Sequence, residues 1–147
     1  MRHPVRSMLL TFGLACGLSI SLLAATPVSA ATTVELAFVT KVNAARKARG
    51  LNALPVRAGL TDKAHQHSAA MARRGRLYHS DLSRICCYLA VAENIAVGYT
   101  VSGVHGGLMN SPAHRANILD RRWRGLGVGV VKSGGRLWVT QVFRQPR

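Results

Sequence analysis

The sequence predicts an α+β domain in which helices cover a small antiparallel sheet, and three observations carry that expectation. Two helical periods come first in the chain, over residues 34–49 and 60–74. An alternating apolar pattern around Ser133-Gly134-Gly135 follows near its end, which reads as a β-hairpin. Removing a leader-like segment from the 147 residues leaves 117, the size of one domain around one core.

In chain order, the first 30 residues have a basic start with Arg2 and Arg6, an apolar run from Met8 to Ala25, and Val28-Ser29-Ala30 before the expected cut at Ala30/Ala31. That is the layout of a secretory signal peptide. The same run, left uncleaved, would approach bilayer-spanning length, so a membrane-anchored form is the competing reading. Lipidation at Cys16 is set aside, because it would leave most of the apolar run on the mature chain.

In the first helix Leu36, Val39, Val42 and Arg46 recur at three- and four-residue steps, with Gly50 as its stop. The second helix carries Leu60, Ala64, Ser68, Met71 and Ala72 on one side, with Gly75 after its last turn. Residues 76–103 hold no sustained helical period and carry His79, Cys86, Cys87 and Glu93, the kind of irregular stretch on which functional residues often sit. A short helix over about 103–110 is disfavoured by Gly103, Gly106 and Gly107 but fits the pattern. At 111–119, Ser111 is placed to cap a helix with its hydroxyl and Pro112 to occupy its first position. His114 then falls in the first turn, where the helix dipole disfavours protonation. A neutral imidazole serves equally as metal ligand, general base or hydrogen-bonding group. In the closing hairpin Val128, Val130 and Lys132 share one face of the first strand, and Leu137, Val139, Gln141 and Phe143 one face of the second.

The net charge is +15, with 20 Lys and Arg against 5 Asp and Glu, and it remains +13 after the leader is removed. The basic residues cluster at Arg46, Lys47 and Arg49, at Arg73, Arg74 and Arg76, and at Arg121, Arg122 and Arg124. Such an excess selects anionic partners and says nothing of fold. Export and the absence of zinc-finger or RNA-binding aromatic motifs argue against nucleic acid, leaving anionic envelope polymers or phospholipid head groups. Solvated helix faces are the competing reading of the same clusters. After the leader, Cys86 and Cys87 alone remain, and an oxidising compartment leaves open a strained vicinal disulfide, buried thiols or an intermolecular bridge.

Seven segments occur in an order that is similar to the CAP superfamily, the cysteine-rich secretory, antigen 5 and pathogenesis-related proteins with their SCP domain, in its short bacterial form. They are VNAARKARGLNAL (42–54), AHQHSAAMARRG (64–75), YHSD (78–81), AENIAVGY (92–99), LMNSPAHRANIL (108–119), GLGVGVV (125–131) and LWVTQVF (137–143). The resemblance implies a secreted α-β-α sandwich with a small antiparallel sheet, spanning residues 31–147. It also implies a cleft that in animal and plant members holds two His and two Glu, with zinc or another divalent cation in some. Within that resemblance His79 matches the first family histidine, Glu93 the glutamate of the GEN motif and His114 the histidine of the bacterial SPGHR motif. The second family glutamate falls at about Ser111 and the second histidine at Trp138, so the full tetrad is absent; Ala92 and Leu108 replace a usual Gly and Trp.

His79, Glu93 and His114 are therefore the expected cleft residues, with Asn94, Ser111 and His105 as accessories. If they converge, two imidazoles and a carboxylate suffice for an open zinc-type site that leaves one position for water. Alternatively Glu93 fixes a histidine tautomer from behind. The competing structural reading has Glu93 bracing its loop, His79 bonded beside it and His114 tying its helix to the sheet. No GxSxG elbow supports a serine hydrolase on Ser80 or Ser111, and His65 and His67 read as packing or hydrogen-bonding groups of the second helix. The expected function is an exported monomeric module that binds an anionic envelope polymer, lipid or small ligand. Metal-dependent hydrolysis of peptide or cell-wall bonds, and lipid or sterol carriage, are the alternatives.

Overall fold

A computed structural model describes residues 32–85 and 87–147, so the expected leader with its cut site, and Cys86 with any bridge it makes, lie outside the described residues. Among the described residues, no helix is long and apolar enough to cross a membrane.

The first helix, α1 (Thr33–Lys47), begins with a capping box: Thr32 Oγ1 accepts from the Glu35 N–H at 3.3 Å while Glu35 Oε2 accepts from the Thr32 N–H at 2.7 Å. Glu35 is only 2% exposed. Its other oxygen accepts from the Val130 N–H at 3.0 Å and stands 3.1 Å from His65 Nδ1. These ties set the helix rotation, so its buried face is Glu35, Phe38, Val42 and Arg46, and Leu36, expected inward, is 48% exposed. Arg46 is likewise not part of a solvated cluster. It is 1% exposed, and its guanidinium donates to the carbonyls of Asn52 (2.9 Å), Ile118 (2.8 Å) and Asp120 (2.9 Å).

Burial pushes the Glu35 carboxyl up, but the donors at Thr32 and Val130 together with His65 more than offset it and hold its pKa below the ordinary range. A depressed carboxylate pKa adds stability above the unfolded-state value, and that stability is lost as pH falls through the folded-state value. Glu35→Gln is therefore expected to cost about 2 kcal/mol at pH 7. The gap to wild type should narrow toward pH 3 in urea titrations; a gap of constant size across that range would contradict the assignment.

The second helix, α2 (Ala58–Arg74), buries Leu60, Thr61, Ala64, Ser68 and Met71, four of them as expected, and ends on Gly75 in the left-handed region at φ 63°. The sheet consists of β1 (Tyr88–Gly98), β2 (Gly125–Ser133) and β3 (Arg136–Pro146) in the antiparallel order β1-β3-β2. Ser133 pairs with Arg136, and the Gly134-Gly135 turn between them has φ of 57° and 72°, as a primed hairpin turn requires. Leu126, Val128, Val130, Leu137, Val139 and Phe143 pack on one side against Phe38 and Val42 of α1, Val104 and Leu108 of α3 (Val101–Asn110), and Ile118 of α4 (Pro112–Leu119). Trp138, Val142 and Ile95 meet Met71, Leu60 and Ala64 of α2 on the other side. Helices thus lie on both faces, the α-β-α sandwich.

The two margins of the sheet differ. The stretch expected to be irregular contains β1, which lies at one margin. Its sequence YLAVAENIAVG gives no clean alternation because both of its faces are covered. At the opposite margin the outer edge of β2 is closed: Leu126 exchanges backbone bonds with Pro55 and Arg57, and Glu35 takes the Val130 N–H.

Candidate functional site

Gly75 turns the chain back so that residues 76–81 return along α2 toward β1. There His67 Nε2–H donates to the Tyr78 carbonyl at 2.7 Å, and the two rings meet edge to face at 5.0 Å. This contact fixes the strap that carries His79 and Ser80. Glu93 reaches them from the α2-facing side of β1. Its Oε1 accepts from the Ser80 N–H at 2.9 Å and from His79 Nδ1 at 2.8 Å, and its Oε2 from the Ser80 hydroxyl at 2.5 Å. A buried carboxylate needs such partners, since burial without them is costly.

The pair is asymmetric in exposure: the Glu93 side chain is 1% exposed and the His79 side chain 60%. With Nδ1 bonded to the carboxylate, Nε2 is the ring nitrogen left to face a ligand. The pair opens on a cavity of about 320 Å³ that is also lined by Lys63, Gln66, His67 and Tyr78. His67 thus shares the site, although its sequence position reads as helix packing. Lys63, Gln66, His67 and Ala70 form one helical stripe beside the buried one, a pattern that can be read once the return of the chain after Gly75 is recognised.

His114 lies elsewhere. It lines a second cavity of about 520 Å³ with Ser111, Leu77, Ile95, Val97 and Val104, and the two linings share no residue. The structure thus bonds His79 to Glu93, while His114 lines the other cavity. Pro112 occupies the first turn of α4 as expected, but the Ser111 side chain makes no capping bond.

The accessory residues also separate. Asn94 is fully buried and ties three elements: its amide donates to the His114 carbonyl (3.1 Å) and to Gln141 Oε1 (3.3 Å), and its carbonyl oxygen accepts from Asn117 at 3.0 Å. It braces the sheet against α4 and lines neither cavity. His105 lines neither one, and its buried Nδ1 has no partner among the described residues. Burial, then the charge of Lys41, lowers its pKa and keeps the ring neutral.

A zinc-type centre with three protein ligands does not fit this donor set. Both Glu93 oxygens are already occupied, and among the described residues no three His, Cys, Asp or Glu side chains are grouped to hold a metal ion.

Known proteins share this architecture. The family model for the cysteine-rich secretory protein (CAP) family matches residues 39–143. The Bacillus subtilis protein YkwD is 32% identical over 124 residues, covering 77% of this chain and 48% of that protein, so the chain spans about half the length of this curated relative. An extracellular protein containing a SCP domain from Bacillus anthracis superposes with a TM-score of 0.67 at 26% identity, over 76% of this chain and 40% of that one. An outer surface protein from Borrelia burgdorferi reaches a TM-score of 0.71 at 17% identity, over 78% of this chain and 93% of that one, a likeness of fold.

Proposed function

This chain belongs to the cysteine-rich secretory protein (CAP) family, and we propose that it is an exported binding module whose ligand engages the cavity at His79 and Glu93. One observation carries the reading: an exposed imidazole whose Nδ1 is held by a buried carboxylate, so that Nε2 stands ready beside a cavity. The leader-like N-terminus and the extracellular Bacillus anthracis relative support export. The basic excess supports recruitment by an anionic envelope polymer. Hydrolysis is the weaker reading, because the hydroxyl nearest the pair, that of Ser80, donates to Glu93 and is not poised on His79.

The test uses poly(glycerol phosphate) as the anionic polymer. Retention of the purified chain on it is expected to fall roughly tenfold between low salt and about 0.5 M salt, as screening shortens the reach of surface charge. His79→Ala is expected to weaken binding at fixed salt by about tenfold, or 1.4 kcal/mol. Its melting temperature should fall only modestly, because Glu93 keeps the Ser80 N–H and hydroxyl as donors when the ring is removed. Retention indifferent to salt would remove the electrostatic part; affinity unchanged in His79→Ala would remove the cavity.

A further inference from the structure

We propose that the outer edge of β1 receives an extended peptide as a fourth strand, whose apolar side chains enter the 520 Å³ cavity and whose acidic residues flank them. The proposal goes beyond the His79–Glu93 cavity to the second one, and it gives that cavity an occupant of another chemical class.

The hydrogen-bond alternation of the sheet identifies the free groups. In β2 the outward backbone groups belong to Leu126 and Val130, as their bonds to Pro55, Arg57 and Glu35 show. The intervening Gly127 and Gly129 therefore turn toward Val142 and Thr140 of β3. Their neighbours Gln141 and Val139 turn the other way, toward Asn94 and Ala96 of β1. Glu93, Ile95 and Val97 are left with N–H and C=O directed away from the sheet. The Glu93 carbonyl confirms this direction by accepting from the Asn117 amide at 3.4 Å. Among the described residues, the backbone groups of Ile95 and Val97 have no partner beyond the sheet.

A free strand edge is a template for strand addition, and the other margin of this sheet is closed. Beside the free edge lies an apolar cavity walled by Leu77, Val97, Val104 and Leu108. Backbone pairing supplies affinity along the edge, and alternate side chains of the added strand reach the cavity. Charge complementarity sets the flanks. Exposed Arg76 and Arg115 adjoin the lining residues Leu77 and His114 in the chain, and exposed Arg136 adjoins Leu137, the pairing partner of Gly98 at the end of β1. The sequence holds five acids against 20 Lys and Arg, and of these Glu35 and Glu93 are buried and Asp120 is bonded to Arg122. The Asn117 amide on the Glu93 carbonyl ends the free stretch at that residue, so the added strand pairs along Ile95 and Val97.

Gly107 gives a clean test. It lines the cavity in α3, and a Cβ there meets nothing within 4 Å, so Gly107→Phe fills the groove at a position where leaving glycine also favours the helix. Phage-displayed random decapeptides panned on the full chain are expected to enrich sequences with apolar residues at every second position and Asp or Glu at the ends. Synthetic copies should bind Gly107→Phe at least tenfold more weakly and protect the Ile95 and Val97 amides from hydrogen exchange. They should also lose at least tenfold when N-methylated on the edge-facing face. No enrichment over background, binding indifferent to N-methylation, or a cavity that takes oleate but no peptide would each overturn the proposal. If peptides fail while His79→Ala still weakens polymer retention, only the strand-addition reading falls; if both fail, the cavity reading falls with it.

Discussion

Gly129→Ala is expected to destabilise the fold more than any other single methyl added to the sheet. A Cβ at Gly129 would stand 2.0 Å from the His65 nitrogen and 2.2 Å from the Ala64 carbonyl carbon, and one at Gly127 would stand 2.3 Å from the Leu60 carbonyl carbon. The obstructing atoms are helix backbone, so no rotamer change relieves the clash and α2 must lift from β2. The expected cost is on the order of 3 kcal/mol or more. For a domain of this size that corresponds to a fall in Tm of roughly 10 °C or more. Gly106→Ala is the control: nothing lies within 4 Å of a Cβ there, and it sits within α3, so its Tm should hold or rise slightly. Circular dichroism melts decide the matter. A Gly129→Ala protein melting within a degree or two of wild type would mean that α2 does not seat on those glycines.

The second large effect is expected at Arg46. Its guanidinium joins the turn after α1, at Asn52, to the end of α4, at Ile118 and Asp120. Burial lowers its pKa, an effect partly offset by the charge of Asp120, so it remains a cation inside the protein. Arg46→Met keeps much of the volume but leaves three carbonyls without their donor, at an expected cost of about 3 kcal/mol or more. Arg46→Lys is expected to recover little, because an ammonium cannot span the positions that the planar fork reaches. Urea midpoints measure both. Equal midpoints for wild type and Arg46→Met would show that water satisfies those carbonyls and that the arginine is dispensable.

That arginine also shows where the sequence could be read and where it could not. On α2 the stripe Leu60, Ala64, Ser68 and Met71 was legible because nothing polar fixes the helix more strongly than its apolar face. On α1 the expected stripe holds at Val42 and Arg46 but fails at Leu36: a capping box tied to a distant strand outweighs one leucine, and Glu35 does not announce in the sequence that it will be internal. The Gly134-Gly135 hairpin was evident from local turn chemistry, whereas β1 was hidden because a strand with both faces covered loses its period-two signature. At the site, the meeting of His79 and Glu93 followed from motif resemblance and not from spacing, for 14 positions separate them with a turn and half a strand between. His114 carries an equally good motif. Its ring nevertheless lines another hollow, because its carbonyl, held by Asn94, fixes the start of α4 on the other side of the strand margin.

The internal use of acids has a consequence for how such a protein would let go of a polyanion. Sixteen of its twenty basic side chains are arginines, which keep their proton at any pH where the fold survives, and the histidines only add charge on acidification. If the proposed polyanion is the ligand, mild acid therefore strengthens the grip instead of loosening it, until the polymer's own phosphates begin to take up protons. Brine is the natural eluent, and a mildly acidic wash is not.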